Sequence, residues 1–101
     1  MFFSKKEKEI MENLFLAIST NIYEKYLLTL QSGDIVEAVV ETCYESDNGL
    51  EGIEFEEYHV CAMRILRILN NKSRTLEIGC LLEIHYRNYP KAIRDSQGRI
   101  I

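Results

Sequence analysis

The two histidines are the residues of this sequence best able to move a proton. His85 lies two positions after Glu83, and His59 follows Glu56 and Glu57. A carboxylate beside an imidazole can orient the ring and stabilise its charged form, the basis of general acid–base catalysis. Hydrolysis also needs an activated nucleophile or a bound metal. The chain has no G-x-S-x-G turn and no glycine-rich phosphate loop. A small hydrolase using His85 with Glu83 is therefore kept only as the alternative, and no residue is assigned a catalytic role.

Metal chemistry finds equally little. Cys43, Cys61 and Cys80 are spread by 18 and 19 residues, far from the close pairs of structural zinc sites. His59-x-Cys61 alone is weak. Asp47-Asn48-Gly49-Leu50-Glu51 places oxygen ligands beside a glycine but lacks the spaced acids of a calcium loop. No metal and no cofactor is expected. Three widely spaced cysteines are not a disulfide framework and fit a reducing compartment.

The acids form the strongest pattern. Residues 34–57 hold nine acidic side chains and no Lys or Arg, whereas residues 1–33 balance and residues 58–101 carry a net charge of +5. A net charge of −4 thus hides a divided chain. Glu37, Glu41, Glu45, Asp47, Glu51, Glu54, Glu56 and Glu57, with the aromatic anchors Phe55 and Tyr58, are the candidate partner-binding residues. Complementary fields speed association and select against wrong partners, and aromatic rings near a polar rim make good anchors. A merely solubilising acidic face is the competing explanation. Self-repulsion at this density costs stability, and solubility alone needs fewer acids. Nucleic acid is not an expected partner, because phosphate binding needs clustered bases; those of residues 58–101 read as offsets to the acids within the fold.

Four elements must position these groups. Ile10, Leu14, Ile18, Ile22 and Tyr26 recur every four residues and predict a helix over 5–30, with Ser4 as N-cap and Glu7 completing a capping box. Ser19-Thr20-Asn21 is helix-poor and could split it. Residues 75–87 alternate strictly and predict a strand with Leu76, Ile78, Cys80, Leu82, Ile84 and Tyr86 on one face. Residues 35–45 and 58–69 read both as strand and as helix; β-branched residues favour strand in the first, and closure of an antiparallel sheet favours it in the second. As a strand, 35–45 would carry Glu37, Glu41 and Glu45 on one open face. Asp95-Ser96-Gln97-Gly98 predicts the turn of a C-terminal hairpin. The expected fold is α+β, with a long N-terminal helix packed on one face of an antiparallel sheet, in a single domain over residues 1–101.

Apolar residues make up 47% and charged residues 28% of the chain, an ordinary globular balance, and no apolar run approaches a membrane span. No membrane association is expected. Residues 1–9 place their charges after the apolar residues, the reverse of a secretion signal, so the expected compartment is the cytoplasm.

Glu41-Thr42-Cys43-Tyr44-Glu45-Ser46-Asp47-Asn48-Gly49-Leu50, Glu56-Glu57-Tyr58 and Leu82-Glu83-Ile84-His85-Tyr86-Arg87-Asn88-Tyr89-Pro90 resemble small bacterial immunity proteins of contact-dependent growth inhibition and other polymorphic toxin systems. The likeness is one of size, acidity and texture over about residues 41–90. It implies a cytoplasmic non-enzyme whose partner is a basic toxin domain, most readily a nuclease. A homodimer, with an acidic patch meeting a basic one, is the remaining alternative.

Overall fold

The computed structural model describes residues 2–101. Helix α1 (Lys5–Thr20) is followed by strands β1 (Lys25–Thr29), β2 (Ile35–Asp47), β3 (Glu57–Asn70), β4 (Leu81–Ile84) and β5 (Ala92–Arg94), with a 3₁₀ turn at Gly52–Glu54. The strands form one antiparallel sheet in the order β4-β3-β2-β1-β5. The fold is α+β, with one N-terminal helix, an antiparallel sheet, and the expected C-terminal hairpin closed by Asp95 N–H to Arg99 O (2.9 Å).

Ser4 caps α1 by accepting the Glu7 N–H (3.1 Å). Glu7 departs from a simple capping box. Its carboxylate is fully buried, accepts the Phe3 N–H (2.9 Å), and also takes the backbone N–H of His59 on β3. The cap thereby pins the helix start to the sheet. Met11, Leu14 and Ile18 then supply the buried stripe, packed with Tyr26, Leu28, Val36, Ala38, Met63 and Ile65.

The helix ends ten residues before its predicted limit. Ser19 and Thr20 turn their hydroxyls onto the Leu16 carbonyl (2.7 and 3.1 Å), and Asn21 Oδ1 accepts the Tyr23 N–H (3.0 Å). Such local bonds compete with helix propagation. The four-residue recurrence through Ile22, Tyr26 and Leu30 misleads because every fourth residue also lies on one face of a strand; Tyr26 and Leu28 of β1 are buried in that way.

The predicted strand over 75–87 is also shortened, to Leu81–Ile84. Gly79 adopts φ 89°, outside strand geometry, and Ile78 and Cys80 are exposed rather than in the core. Asn71 organises the preceding loop by bonding both the N–H and the carbonyl of Leu76. The strand alternatives for 35–45 and 58–69 are the ones realised.

Asp34, counted above among the acids, is structural. It is buried, accepts from Ser32 Oγ (2.6 Å) and Ser73 N–H (2.8 Å), and so ties the β1–β2 turn to the β3–β4 loop. The Ser32 and Ser73 hydrogen bonds hold its carboxyl down from 3.8 to about 2. A carboxyl depressed in the folded state contributes stability that is complete above its unfolded value and lost as pH falls. Asp34→Asn should therefore lower the melting temperature at pH 7 and melt with less further loss between pH 4 and pH 2. Thermal melts across that range check it, and parallel curves for the two proteins would refute the role.

Candidate interaction surface

β1 covers β2 only at residues 35–39, and β4 covers β3 only at residues 61–64. From Thr42 onward β2 pairs with β3 alone, and before Cys61 β3 has no β4 partner either, so residues 44–60 form a two-stranded arm. Asn48 builds the loop at its end. Its N–H meets the Glu56 carbonyl (3.0 Å), Nδ2 donates to the Glu54 carbonyl (2.7 Å), and Oδ1 accepts from Leu50 and Glu56 N–H (3.1 and 3.2 Å). Gly49 and Gly52 supply the left-handed residues of this loop, at φ 74° and 70°. Held by these bonds, the loop leaves Leu50, Ile53 and Phe55 outward. Ile53 is fully exposed and Phe55 is 45% exposed, large apolar groups that folding alone leaves in water. Together with Glu54, Glu56 and Arg87 they line a cleft of about 630 Å³.

Register decides where the acids go. The Asn48–Glu56 bond makes that pair hydrogen-bonded, so pairs alternate back along the arm. Asp47/Glu57, Glu45/His59 and Cys43/Cys61 are therefore the non-hydrogen-bonded pairs, whose side chains approach most closely. An irregularity between Val40 and Thr42 inserts Glu41 as an extra residue. A bulge shifts the phase of alternation, and Glu45 consequently leaves the face that carries Glu37. The expected array of Glu37, Glu41 and Glu45 on one face does not form. In its place Glu45, Asp47 and Glu57 share one face of the arm.

Three of the candidate acids are neutralised inside the fold. Glu41 accepts Arg64 in two bonds (2.7 and 3.1 Å), Glu56 accepts Arg87 likewise (2.8 and 3.2 Å), and Glu37 lies 3.5 Å from Arg67. The Arg64 contact holds the Glu41 carboxyl below its usual range. Among the described residues no ion pair reaches Glu45, Asp47, Glu51, Glu54 or Glu57. Asp47 takes only the Gly49 N–H (2.8 Å), and it faces Glu57 directly across the strands. Like charges in such a pair destabilise a sheet. The unneutralised acids thus gather at one end of the arm, around the exposed apolar loop. Tyr58 belongs to the arm but faces away from them: it stacks on His85 at 4.6 Å, and its hydroxyl donates to the Asp47 carbonyl.

The arm also has an open edge. Among the described residues no strand pairs with β2 beyond Val39 on the side of β1, and the alternation leaves the backbone groups of Cys43 and Glu45 pointing outward there. Sequence reasoning interleaved Leu50, Ile53 and Phe55 with the acids but kept only Phe55 among the candidate partner-binding residues. The Asn48-Gly49 and Gly52 turn signals around these side chains were the available sign that they would not be buried.

The acid–base pairs of the alternative reading are not assembled. The Glu83 carboxylate accepts the Tyr44 hydroxyl (2.8 Å), and His85 Nδ1 faces the Arg87 N–H (3.3 Å) with its proton affinity lowered by burial. His59 turns away from Glu56 and Glu57 to Glu7, with 3.2 Å between Nδ1 and Oε1, and stacks on Phe3 at 4.8 Å. That pair is a structural join between helix cap and sheet. Among the described residues no group of three metal-ligating side chains is present, and no helix is long and apolar enough to cross a membrane.

No curated protein and no solved structure matches the chain. A family model described as "Cognate immunity protein YxxD" matches residues 9–101. A match spanning nearly the whole sequence shows that the chain belongs to the YxxD family of cognate immunity proteins.

Proposed function

We propose that this immunity protein neutralises its cognate toxin by seating the tip of its acidic arm on a basic surface of the toxin domain. The observation that carries this reading is the directly opposed Asp47–Glu57 pair, with Glu45, Glu51 and Glu54 nearby and, among the described residues, no ion pair to any of them. A cationic partner would relieve that repulsion and gain the field of the whole cluster. Leu50, Ile53 and Phe55 supply the apolar anchors around which such charges act. A nuclease is the toxin class that fits best, since a surface built to hold a polyanionic substrate is rich in Lys and Arg. An acidic arm laid across it would exclude the substrate without any chemistry of its own. The place of action is the cytoplasm, where a toxin delivered by a contact-dependent or related system meets nucleic acid. A second copy of the chain is a poor occupant tip to tip, because it brings the same uncompensated acids.

The open edge of β2 extends the contact. Its free backbone groups, flanked by Glu45 and Asp47, suit an extended basic segment of the toxin added as a further strand.

The test of the acidic tip is kinetic. Joint replacement of Glu51, Glu54 and Glu57 by Gln should slow association with the cognate toxin domain by roughly tenfold at low salt and flatten its salt dependence. Stopped-flow association rates across ionic strength decide it. Rates equal to those of the unsubstituted protein would reject the acidic docking surface.

A further inference from the structure

Cys43 and Cys61 stand directly opposite one another near the base of the arm. Theirs is a non-hydrogen-bonded pair, whose Cα atoms approach to about 4.5 Å. That lies within the ~4.4–6.8 Å that a disulfide spans. Both side chains leave the same face of the sheet. Cys43 is exposed, so a small oxidant can reach it, whereas Cys61 is completely buried and can be reached only by its neighbour. A hydrogen bond from the Cys61 thiol holds the Cys43 thiol down at about 7, and the same contact with burial pushes Cys61 up. The attacking and resolving roles are thereby divided between the two. Cys80 is also exposed but pairs with Ile65 through its backbone and faces no second thiol in the register.

We propose that Cys43 and Cys61 form a reversible cross-strand disulfide that clamps the base of the arm. The oxidant is a small disulfide such as oxidised glutathione. The Cys43 thiolate attacks one sulfur of the small disulfide, the S–S bond breaks, and one small thiolate leaves. Cys61 then attacks the Cys43 sulfur of this mixed disulfide, its proton passing to the second small thiolate as that is expelled. Both leaving thiolates take up protons, so two protein thiols are oxidised to one disulfide as one small disulfide is reduced to two thiols. The bond closes the loop of residues 44–60 and restricts the unfolded arm. This inference is independent of what the tip binds.

The test needs only the full chain and oxidised glutathione at pH 7.5. Intact mass should fall by the two hydrogens of one disulfide, peptide mapping should join Cys43 to Cys61, and dithiothreitol should restore the starting mass. Cys80→Ser should behave in the same way at the arm, and Cys43→Ser should form no internal disulfide. The bridged form should melt at least about 5 °C higher than the reduced one. A mixed disulfide that persists at Cys43, a bridge that includes Cys80, or no reaction at Cys43 overturns the disulfide. A bridged form that melts no higher overturns the clamp.

Discussion

Replacing Ile53 by Ala should weaken binding of the cognate toxin by roughly 30-fold, about 2 kcal/mol, the threshold of an interface hot spot. Folding should be untouched. Ile53 is fully exposed, so its side chain has no internal packing to lose, and exposed substitutions of this kind stay within about 0.5 kcal/mol. The effect would come wholly from the complex, where the side chain leaves water against the partner. Glu54 and Glu56, which line the cleft beside it, would form the polar rim of that contact. Titration calorimetry with the toxin domain measures the loss, and a melt confirms the fold. An affinity within twofold of the unsubstituted value would remove the apolar loop from the interface.

Glu45→Pro should cost a comparable factor, roughly 30-fold, through the backbone. Proline removes one N–H, and at position 45 that N–H points to the open edge rather than into the β2–β3 ladder. Edge positions of this kind tolerate proline, and the preceding residue, Tyr44, already has the extended conformation that proline demands. The arm should therefore persist with a melting temperature lowered by only a few degrees, while an added strand loses its bond to residue 45. Leaving the matching carbonyl unpaired in a dry contact costs about 1–3 kcal/mol. Glu45→Gln is the control, since it discards the charge but keeps the N–H; it should lose no more than about fivefold. If the two variants bind alike, no strand is added at this edge. That outcome leaves the acidic tip standing, because its own test rests on Glu51, Glu54 and Glu57.

Much of the scaffold could be read from residue order. Ser4 with Glu7 marks a helix start because a hydroxyl three residues before a free N–H satisfies it locally. Asp95-Ser96-Gln97-Gly98 marks the last turn for similarly local reasons. The β-branched run from Ile35 to Val40 suits a pleated surface, and β2 follows. Local rules failed where two periods coincide. Ile22, Tyr26 and Leu30 fit a helix and a strand equally, and the local bonds of Ser19, Thr20 and Asn21 stop the helix before them. Gly79 broke the other long prediction, since its left-handed φ is invisible in an alternating pattern.

By itself the sequence determined the α+β composition, the helix start, the terminal turn and the excess of acid in residues 34–57. Only the tertiary structure decided which of those acids remain free. A charge contributes the same count wherever it stands, but its neutralisation depends on a cation brought within a few ångströms by strand register. Register places Arg67, Arg64 and Arg87 against Glu37, Glu41 and Glu56, and the hydrogen bonds of Ser32 and Ser73 consume Asp34. The one-residue bulge at Glu41 then turns Glu45, and with it Asp47, away from the face of Glu37, because side chains in a strand alternate and a single inserted residue reverses all that follow. An acidic stretch spread over 24 residues becomes, in three dimensions, the charged end of one arm.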